Sequence, residues 1–165
     1  MTVLESLFEV IRRDHVLSPP LPAGQVKELE AGLSYPLPTD WKEFYSLCNG
    51  LLLFDDAYTF VPLEEVRRVR IDIYGDDIDY DDGATQTWYS VCDIQDGNYI
   101  AADLASVNGD HCRMLDCFHE DLAPAKIIAL SLTEFLDKAL KSEGRQFWLV
   151  DYPGYGYTPN GGPPE

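Results

Sequence analysis

The stretch "LPTDWKEFYSLCNG", Leu37 to Gly50, carries the strongest local signal in the chain. Pro38 ends the preceding segment, because proline has no N–H to donate and a fixed φ. Thr39 or Asp40 can then cap a new helix by accepting hydrogen bonds from its free amide groups. The spacing i, i+3, i+4, i+7 predicts one buried helical face, made of Trp41, Phe44, Tyr45 and Cys48. Asn49-Gly50 ends this helix, since both residues tolerate a left-handed backbone.

The residues before this stretch predict two further helices. The same spacing defines an apolar face near the N-terminus, made of Leu4, Leu7, Phe8 and Ile11. Adjacent prolines in "SPPLPAG", residues 18–24, end that helix. A second helix is expected over residues 25–33, with its inward face formed by Val26, Leu29 and Leu33.

After Gly50 the period changes to that of strands. "LLLF" (51–54) and "YTFVPL" (58–63) are predicted strands, and "LEEVRRVRI" (63–71) a short helix or helical turn. Two β-like runs, "TWYSVCDI" and "NYIAADL", flank Asp96-Gly97, which is typical of a hairpin turn. "CRMLDCFHE" (112–120) is a third strand in this region.

The last periodic segment is "SLTEFLDKALK", residues 131–141. Ser131 and Glu134 have the spacing of a capping box, and an apolar stripe follows. Helices first, then antiparallel strands, then a helix predict an α+β fold with one mostly antiparallel twisted sheet and helices packed mainly on one side. We assign residues 1–150 to one domain and residues 151–165 to a Pro/Gly/Tyr-rich tail, whose Tyr152, Tyr155 and Tyr157 either pack on the domain or contact a partner.

Composition limits the classes of function. The chain has 165 residues, with 12 Lys and Arg against 29 Asp and Glu, a formal net charge of −17. Direct nucleic-acid or anionic-membrane binding is disfavoured, because both need clustered basic residues. The N-terminus lacks the pattern of a targeting signal, no run is long and apolar enough for a membrane helix, and the four cysteines are expected to be reduced thiols in a cytoplasmic setting.

The most unusual stretch is "RIDIYGDDIDYDDG", residues 70–83. It places six aspartates in the thirteen positions after Arg70: Asp72, Asp76, Asp77, Asp79, Asp81 and Asp82. From Ile71 to Cys112 there is no Lys or Arg, while ten aspartates occur. Three interpretations compete: a calcium loop, a solvated loop, or a face that meets a basic partner.

The alternatives that involve chemistry fit the residues poorly. An EF-hand register starting at Asp77 has Asp82 where glycine is needed and Trp88 where the bidentate glutamate is needed. Cys112 and Cys117 are five apart on a predicted strand, so they point to opposite faces and do not form a zinc site. No nucleophile elbow or complete phosphate loop is present. We therefore expect no catalytic residues, no metal and no cofactor.

At this point the chain resembles a known family, the SUKH superfamily or SMI/KNR-type domain. The resemblance runs from about Gln25 to Leu140. It rests on a strand-then-helix step "FVPLEEV" (60–66), on a closing helix "IIALSLTEFLDKAL" (127–140) and on matching residues in order: Glu30, Leu37, Pro38, Trp41, Phe44, Asn49, Gly50, Gly97 and Asp103. One departure is Leu51, where the family often has a second glycine. The resemblance implies a non-enzymatic α+β domain, and for many bacterial members an immunity protein that neutralises a cognate toxin, frequently a nuclease.

The acidic stretch and this resemblance together lead to one expectation. The chain binds and neutralises a cognate toxin with a basic surface, with a nuclease as the expected class; a regulatory or scaffolding module with a non-toxin partner is the alternative. The partner-binding residues are predicted to be the six aspartates at 72, 76, 77, 79, 81 and 82, with Tyr74, Tyr80, Trp88 and Tyr89 supplying aromatic contacts. The sequence does not fix the oligomeric state.

Overall fold

A computed structural model describes residues 1–75, 83–106 and 110–158. Within these residues the α-helices are α1 (Val3–Asp14), α2 (Ala23–Ala31), α3 (Thr39–Leu47), α4 (Val69–Tyr74) and α5 (Leu132–Lys141). The strands are β1 (Val16–Leu17), β2 (Leu51–Leu53), β3 (Tyr58–Phe60), β4 (Arg67–Arg68), β5 (Trp88–Asp93), β6 (Tyr99–Asp103), β7 (Met114–Phe118) and β8 (Asp121–Ala129). Short 3-10 helices cover Leu63–Glu65, Gly83–Thr87 and Leu104–Ser106.

All eight strands belong to one open antiparallel sheet with the order β1-β2-β3-β5-β6-β7-β8. Strand β4 pairs with β5 as well, in continuation of β3, so that β3 and β4 lie along the same edge of β5. Between them the chain leaves the sheet over residues 62–66, which we call the 62–66 excursion. This architecture confirms the predicted α+β class.

The first face of the sheet is buried beneath α1, α2, α3 and α5, which confirms that the helices pack mainly on one side. The aromatic ridge of α3 lies at the centre of this layer. The Phe44 ring is 5.5 Å from Phe60 of β3 and 5.8 Å from Phe8 of α1, measured between centroids. Phe60 is in turn 6.0 Å from Phe135 of α5. The periodicity read from the sequence thus predicts the core-facing side of three helices correctly.

The second face has a smaller apolar cluster that covers only part of it. Residues of β5 to β8 and α4 form this cluster: Val69, Trp88, Ala101, Leu115, Cys117, Leu122, Ala125 and Ile127. Toward β1 the same face is open, because Val16 is 63% exposed and Leu52 and Thr59, its neighbours across the register, are only half-buried. Half of the second face is therefore accessible.

The start of α3 differs from the prediction that Thr39 or Asp40 caps it. Pro38 is the N-cap residue, and its side chain makes no capping hydrogen bond. The Thr39 hydroxyl instead donates to Asp110, at 2.8 Å. Asp40 is buried; its Oδ1 accepts from the Trp41 amide at 2.9 Å, and its Oδ2 accepts from the Leu132 amide at 3.2 Å. A carboxylate predicted to serve its own helix thus joins α3 to the start of α5.

Other element boundaries also differ from the prediction. Helix α2 begins and ends two residues earlier than the predicted 25–33, because Pro22 precedes it with a φ of −59° and the chain turns at Gly32. Strand β8 was not predicted, since Pro124 and Lys126 interrupt its apolar pattern. Ser131 caps α5 as predicted, but the Glu134 carboxylate accepts from the Leu130 amide, one residue before the cap. The predicted hairpin at Asp96-Gly97 is confirmed, with positive φ at both residues.

The C-terminal segment packs along the edge of β8 as far as Thr158. The Tyr155 and Thr158 amides donate to the carbonyls of Ile127 and Ala125, both at 2.9 Å. The Lys126 ammonium donates to the carbonyls of Trp148 and Tyr152, at 3.0 and 2.5 Å. The Tyr152 side chain packs against the core of the first face and its hydroxyl donates to the Ile128 carbonyl at 2.6 Å, whereas Tyr157 is 66% exposed. Residues 159–165 lie outside the described part of the chain.

No helix among the described residues is long and apolar enough to cross a bilayer. All four cysteines are buried and free of disulfides. Cys112 lies in the core of the first face and Cys117 in the cluster of the second, as their spacing predicted. No group of three or more His, Cys, Asp or Glu side chains in residues 1–75, 83–106 and 110–158 is placed to hold a metal ion.

The thiols are expected to resist modification in the folded protein. Burial raises the pKa of Cys48 and of Cys112 to about 12, and it raises the pKa of Cys92 and Cys117 well above the usual value. At pH 8 a disulfide reagent such as Ellman's reagent should therefore label none of them within minutes, and all four after denaturation. Rapid labelling of any thiol in the native protein would contradict this packing.

Replacing Asp40 by Ala is expected to lower the free energy of unfolding by about 1–3 kcal/mol, because two amides lose their acceptor in a buried site. Urea denaturation measures the effect. Asp137→Ala is the matched control: Asp137 is half-exposed and paired with Lys141 at the surface, so we expect a change within about 0.5 kcal/mol. Equal effects of the two substitutions would show that Asp40 does not link the helices.

Candidate acidic interface

The predicted partner-binding residues fall into three groups in the structure. Asp76, Asp77, Asp79, Tyr80, Asp81 and Asp82 lie outside the described residues, so their role stays a prediction. Tyr74, at the end of α4, is 46% exposed and lies 5.9 Å from the Arg70 guanidinium, measured from its ring centroid, and its contact with a partner stays a prediction. Trp88 and Tyr89 are only 1% and 3% exposed, which corrects the expectation that they contact a partner.

The burial of Trp88 and Tyr89 has a simple structural reason. Both residues lie in β5, where successive side chains point to opposite faces of the sheet. Trp88 enters the cluster of the second face and Tyr89 enters the core of the first. Since each face is covered at this point, alternation buries both side chains instead of exposing one.

Asp72 is held within the fold rather than displayed on the surface. Arg67 donates to its Oδ1 from Nε at 2.9 Å and from Nη2 at 2.5 Å. The hydroxyl of the buried Ser90 bonds to its other oxygen. The Asp72 side chain is 13% exposed, so the first aspartate of the acidic stretch is already neutralised by a cation.

The described residues form a different acidic site, a groove on the open half of the second face. It has a volume of about 540 Å³, and we call it the acidic groove; it is lined by Thr59, Val61, Glu64, Glu65, Arg67, Asp72, Asp93 and Tyr99. Four of these residues are carboxylates and one is a base. The groove is therefore a concave surface with an excess of negative charge.

The register of the sheet builds the floor of the groove. Thr59, Asp93 and Tyr99 are partners across β3, β5 and β6, so their side chains lie in one row on one face. A bulge in β5 between Ser90 and Cys92 adds a residue to that strand. Because of this bulge Ser90 and Asp93, three residues apart, both point to the second face. A regular strand would separate them.

The 62–66 excursion builds one wall of the groove. Leu63 is buried, while Glu64 and Glu65 are exposed. Asn49 fastens the excursion: its side-chain oxygen accepts from the Leu63 amide at 2.9 Å, and its side-chain nitrogen donates to Glu64 at 3.0 Å. The end of α3 thus sets the position of two groove carboxylates.

The charges and the burial within the groove act on its own tyrosine. Burial, followed by the charges of Asp72 and Asp93, raises the pKa of Tyr99 above its ordinary value, and Arg67 opposes this shift. The negative potential therefore outweighs the single positive charge at the Tyr99 hydroxyl.

Acidic residues continue at the end of the sheet next to Asp93. Three neighbouring turns, 54–57, 94–98 and 118–121, expose the acids Asp55, Asp56, Asp96, Glu120 and Asp121. These turns are tied together, since the Gln95 side chain donates to the Asp56 carbonyl at 2.6 Å and the His119 amide donates to Asn98 at 3.0 Å. Arg145 follows Gly144, which packs on Phe54 of the first turn, and brings a base to this end.

The residues that carry the family resemblance are structural. The Glu30 carboxylate accepts from the Leu37 amide at 2.7 Å, and Asn49 holds the 62–66 excursion. Asp103 is buried, and its carboxylate accepts from Thr87 at 2.7 Å and from Arg113 at 2.6 Å. These side chains fix turns and connections, and Asn49 in addition holds the wall of the groove.

The amino-acid sequence did not predict the groove. Its carboxylates come from positions 64, 65, 72 and 93, which the sequence separates by up to 29 residues. The alternation of side chains in β5 is the sequence signal that points toward the groove, because it places Asp93 on the opposite face of the sheet from Cys92. It could not reveal that Glu64 and Glu65 approach the same row, because that depends on the excursion.

The fold and the groove define a class: an α+β domain that presents a charged concave surface and no recognisable catalytic group among its described residues. Comparison with known proteins identifies the family. The family model for the SMI1 / KNR4 family (SUKH-1) matches residues 20–138, so the chain belongs to this family. It is also similar to the immunity protein YokJ of Bacillus subtilis (strain 168), with 29% identity over 126 residues that cover 71% of this chain and 73% of the relative.

Proposed function

We propose that this chain is an immunity protein that binds and neutralises a cognate toxin with a basic surface, with a nuclease as the expected class of toxin. The similarity to an immunity protein is the observation that carries the proposal. Membership of the SUKH-1 family, the net charge of −17 and the acidic groove support it. The protein performs no chemistry in this role.

The proposed mechanism is competition for a basic surface. A nuclease binds the phosphate backbone with clustered Lys and Arg side chains. An acidic protein that covers those side chains prevents nucleic acid from reaching them. In this role the immunity protein needs carboxylates held in place by a scaffold, and it needs no catalytic residue of its own.

Steering and affinity arise from different parts of such a surface. Charges at the rim raise the association rate from about 10⁵–10⁶ to about 10⁸ M⁻¹s⁻¹ or more at low salt. Affinity comes mainly from aromatic and well-desolvated groups near the centre. With Trp88 and Tyr89 buried, Tyr74 and the groove residue Tyr99 are aromatic candidates for this contribution.

The alternative is a regulatory or scaffolding module whose partner is not a toxin. The two functions differ in what happens when the toxin is present. Co-expression of the chain with the product of an adjacent toxin gene should restore growth and should yield a stable complex on size exclusion. Growth arrest despite equal expression of a folded chain would favour the alternative.

The acidic stretch should contribute to association even though Asp72 is paired. We expect replacement of Asp76, Asp77, Asp79, Asp81 and Asp82 by Asn to slow association with the toxin and to flatten its dependence on salt, because exposed charges act through a screened field. Asp72 is left intact, because its replacement would remove the ion-pair partner of Arg67. Stopped-flow association between about 0.05 and 0.5 M NaCl measures the effect.

The control carries the same change in net charge on the helical layer. It replaces five carboxylates by their amides at Glu9, Asp14, Glu28, Asp137 and Glu143. Circular dichroism establishes that each variant is folded. An equal effect of both sets would mean that only net charge matters, and an association rate indifferent to salt in the unmodified chain would exclude steering.

A further inference from the structure

Three carboxylates of the acidic groove form no ion pair with any described residue. Arg67, the one base in the lining, is committed to Asp72. One oxygen of Asp93 accepts from the Gln95 amide at 2.8 Å and one oxygen of Glu64 accepts from Asn49 at 3.0 Å. The remaining oxygens of Asp93 and Glu64, and both oxygens of Glu65, have no hydrogen bond or ion pair within the described part of the chain. The groove is thus open to an additional positive charge.

The groove combines these carboxylates with an aromatic ring. Tyr99 is half-buried in the floor beside Asp93, and Val61 and Thr59 complete the floor. A planar guanidinium stacks on an aromatic face and donates several hydrogen bonds to carboxylates at the same time. A lysine ammonium is a point charge and gains less from the ring. The pairing of Arg67 with Asp72 shows that this surface already binds one guanidinium.

We propose that the acidic groove is a receptor for an arginine side chain of the partner, with Asp93, Glu64 and Glu65 as its anionic contacts and Tyr99 as its stacking surface. The identity of the partner as a toxin rests on the proposed function; the recognition of arginine rests on the groove alone. Arg67 holds Asp72 in place through their ion pair. Asp72 therefore does not bind the incoming arginine side chain.

Size and chemistry support this occupant over others. The volume of about 540 Å³ lies within the roughly 300–1,000 Å³ of binding pockets, so the groove can take a long side chain and part of the segment that carries it. A metal ion would need at least three converging ligands, and residues 1–75, 83–106 and 110–158 contain no such group. A purely apolar segment would bury the carboxylates without a partner, which is costly.

The test uses the full ¹⁵N-labelled chain and the peptide Ac-Arg-Arg-Arg-NH₂, so it does not require the toxin. We expect the amide signals of Thr59, Asp93 and Tyr99 to shift on titration. The groove variant Glu64→Gln/Glu65→Gln/Asp93→Asn should weaken this binding roughly tenfold or more, since it removes charge from hydrogen bonds that involve ions. The amides preserve the acceptor atoms for Asn49 and Gln95, so the groove should keep its shape.

The control variant Glu9→Gln/Glu28→Gln/Glu143→Gln carries the same change in net charge outside the groove. It should change the affinity less than twofold. The lysine peptide should bind several-fold more weakly than the arginine peptide, and the neutral citrulline peptide should not shift these signals. Equal loss in both variants, shifts scattered over the surface, or the same groove shifts with millimolar calcium alone would overturn the assignment.

Growth rescue separates this inference from the proposed function. If the groove variant rescues as well as the unmodified chain while the peptide shifts are absent, immunity stands and the arginine receptor fails. If the peptide binds in the groove but the chain protects against no adjacent toxin, the receptor stands and immunity fails. Loss of rescue in the groove variant but not in the control would support both.

Discussion

Packing of the aromatic ridge of α3 against the first face of the sheet is the contact on which the rest of the structure depends. Trp41, Phe44 and Tyr45 are buried, and Phe44 and Phe60 join three helices to β3. Each buried ring contributes roughly 4–6 kcal/mol of transfer free energy by area. Because four helices are drawn to one face, the other face keeps only a small apolar cluster, and the acidic groove occupies the part that remains open.

The separation between a buried core on one face and charged residues at the surface explains how the domain tolerates a net charge of −17. The side chains that carry the family resemblance, such as Glu30, Asn49 and Asp103, satisfy backbone and side-chain groups within the fold. Within the described ranges, exposed carboxylates lie on turns, on the 62–66 excursion and on the open sheet face, where water screens their repulsion. A scaffold that is stabilised by its internal contacts leaves its surface residues free to vary without loss of the fold.

The sequence predicted the parts of the fold that depend on local spacing. The buried faces of α1, α3 and α5, the hairpin at Asp96-Gly97 and the α+β class follow from the periods of helices and strands. The prediction failed where a tertiary contact outweighed a local sequence preference. Asp40 is a good capping residue, yet it accepts from the start of α5, and β8 forms despite Pro124 because its neighbours β7 and the C-terminal segment supply hydrogen bonds from both sides.

The sequence by itself determined that this protein is strongly acidic, that its helices pack mainly on one side of the sheet and that it resembles the SUKH superfamily. Only the tertiary structure decided which carboxylates meet. Asp72 is neutralised by Arg67, Trp88 and Tyr89 are buried, and Glu64, Glu65 and Asp93 line one groove together with Tyr99. The reason is that charge and periodicity are properties of neighbouring residues along the chain, whereas a groove depends on strand order, on a bulge and on an excursion that bring distant residues together.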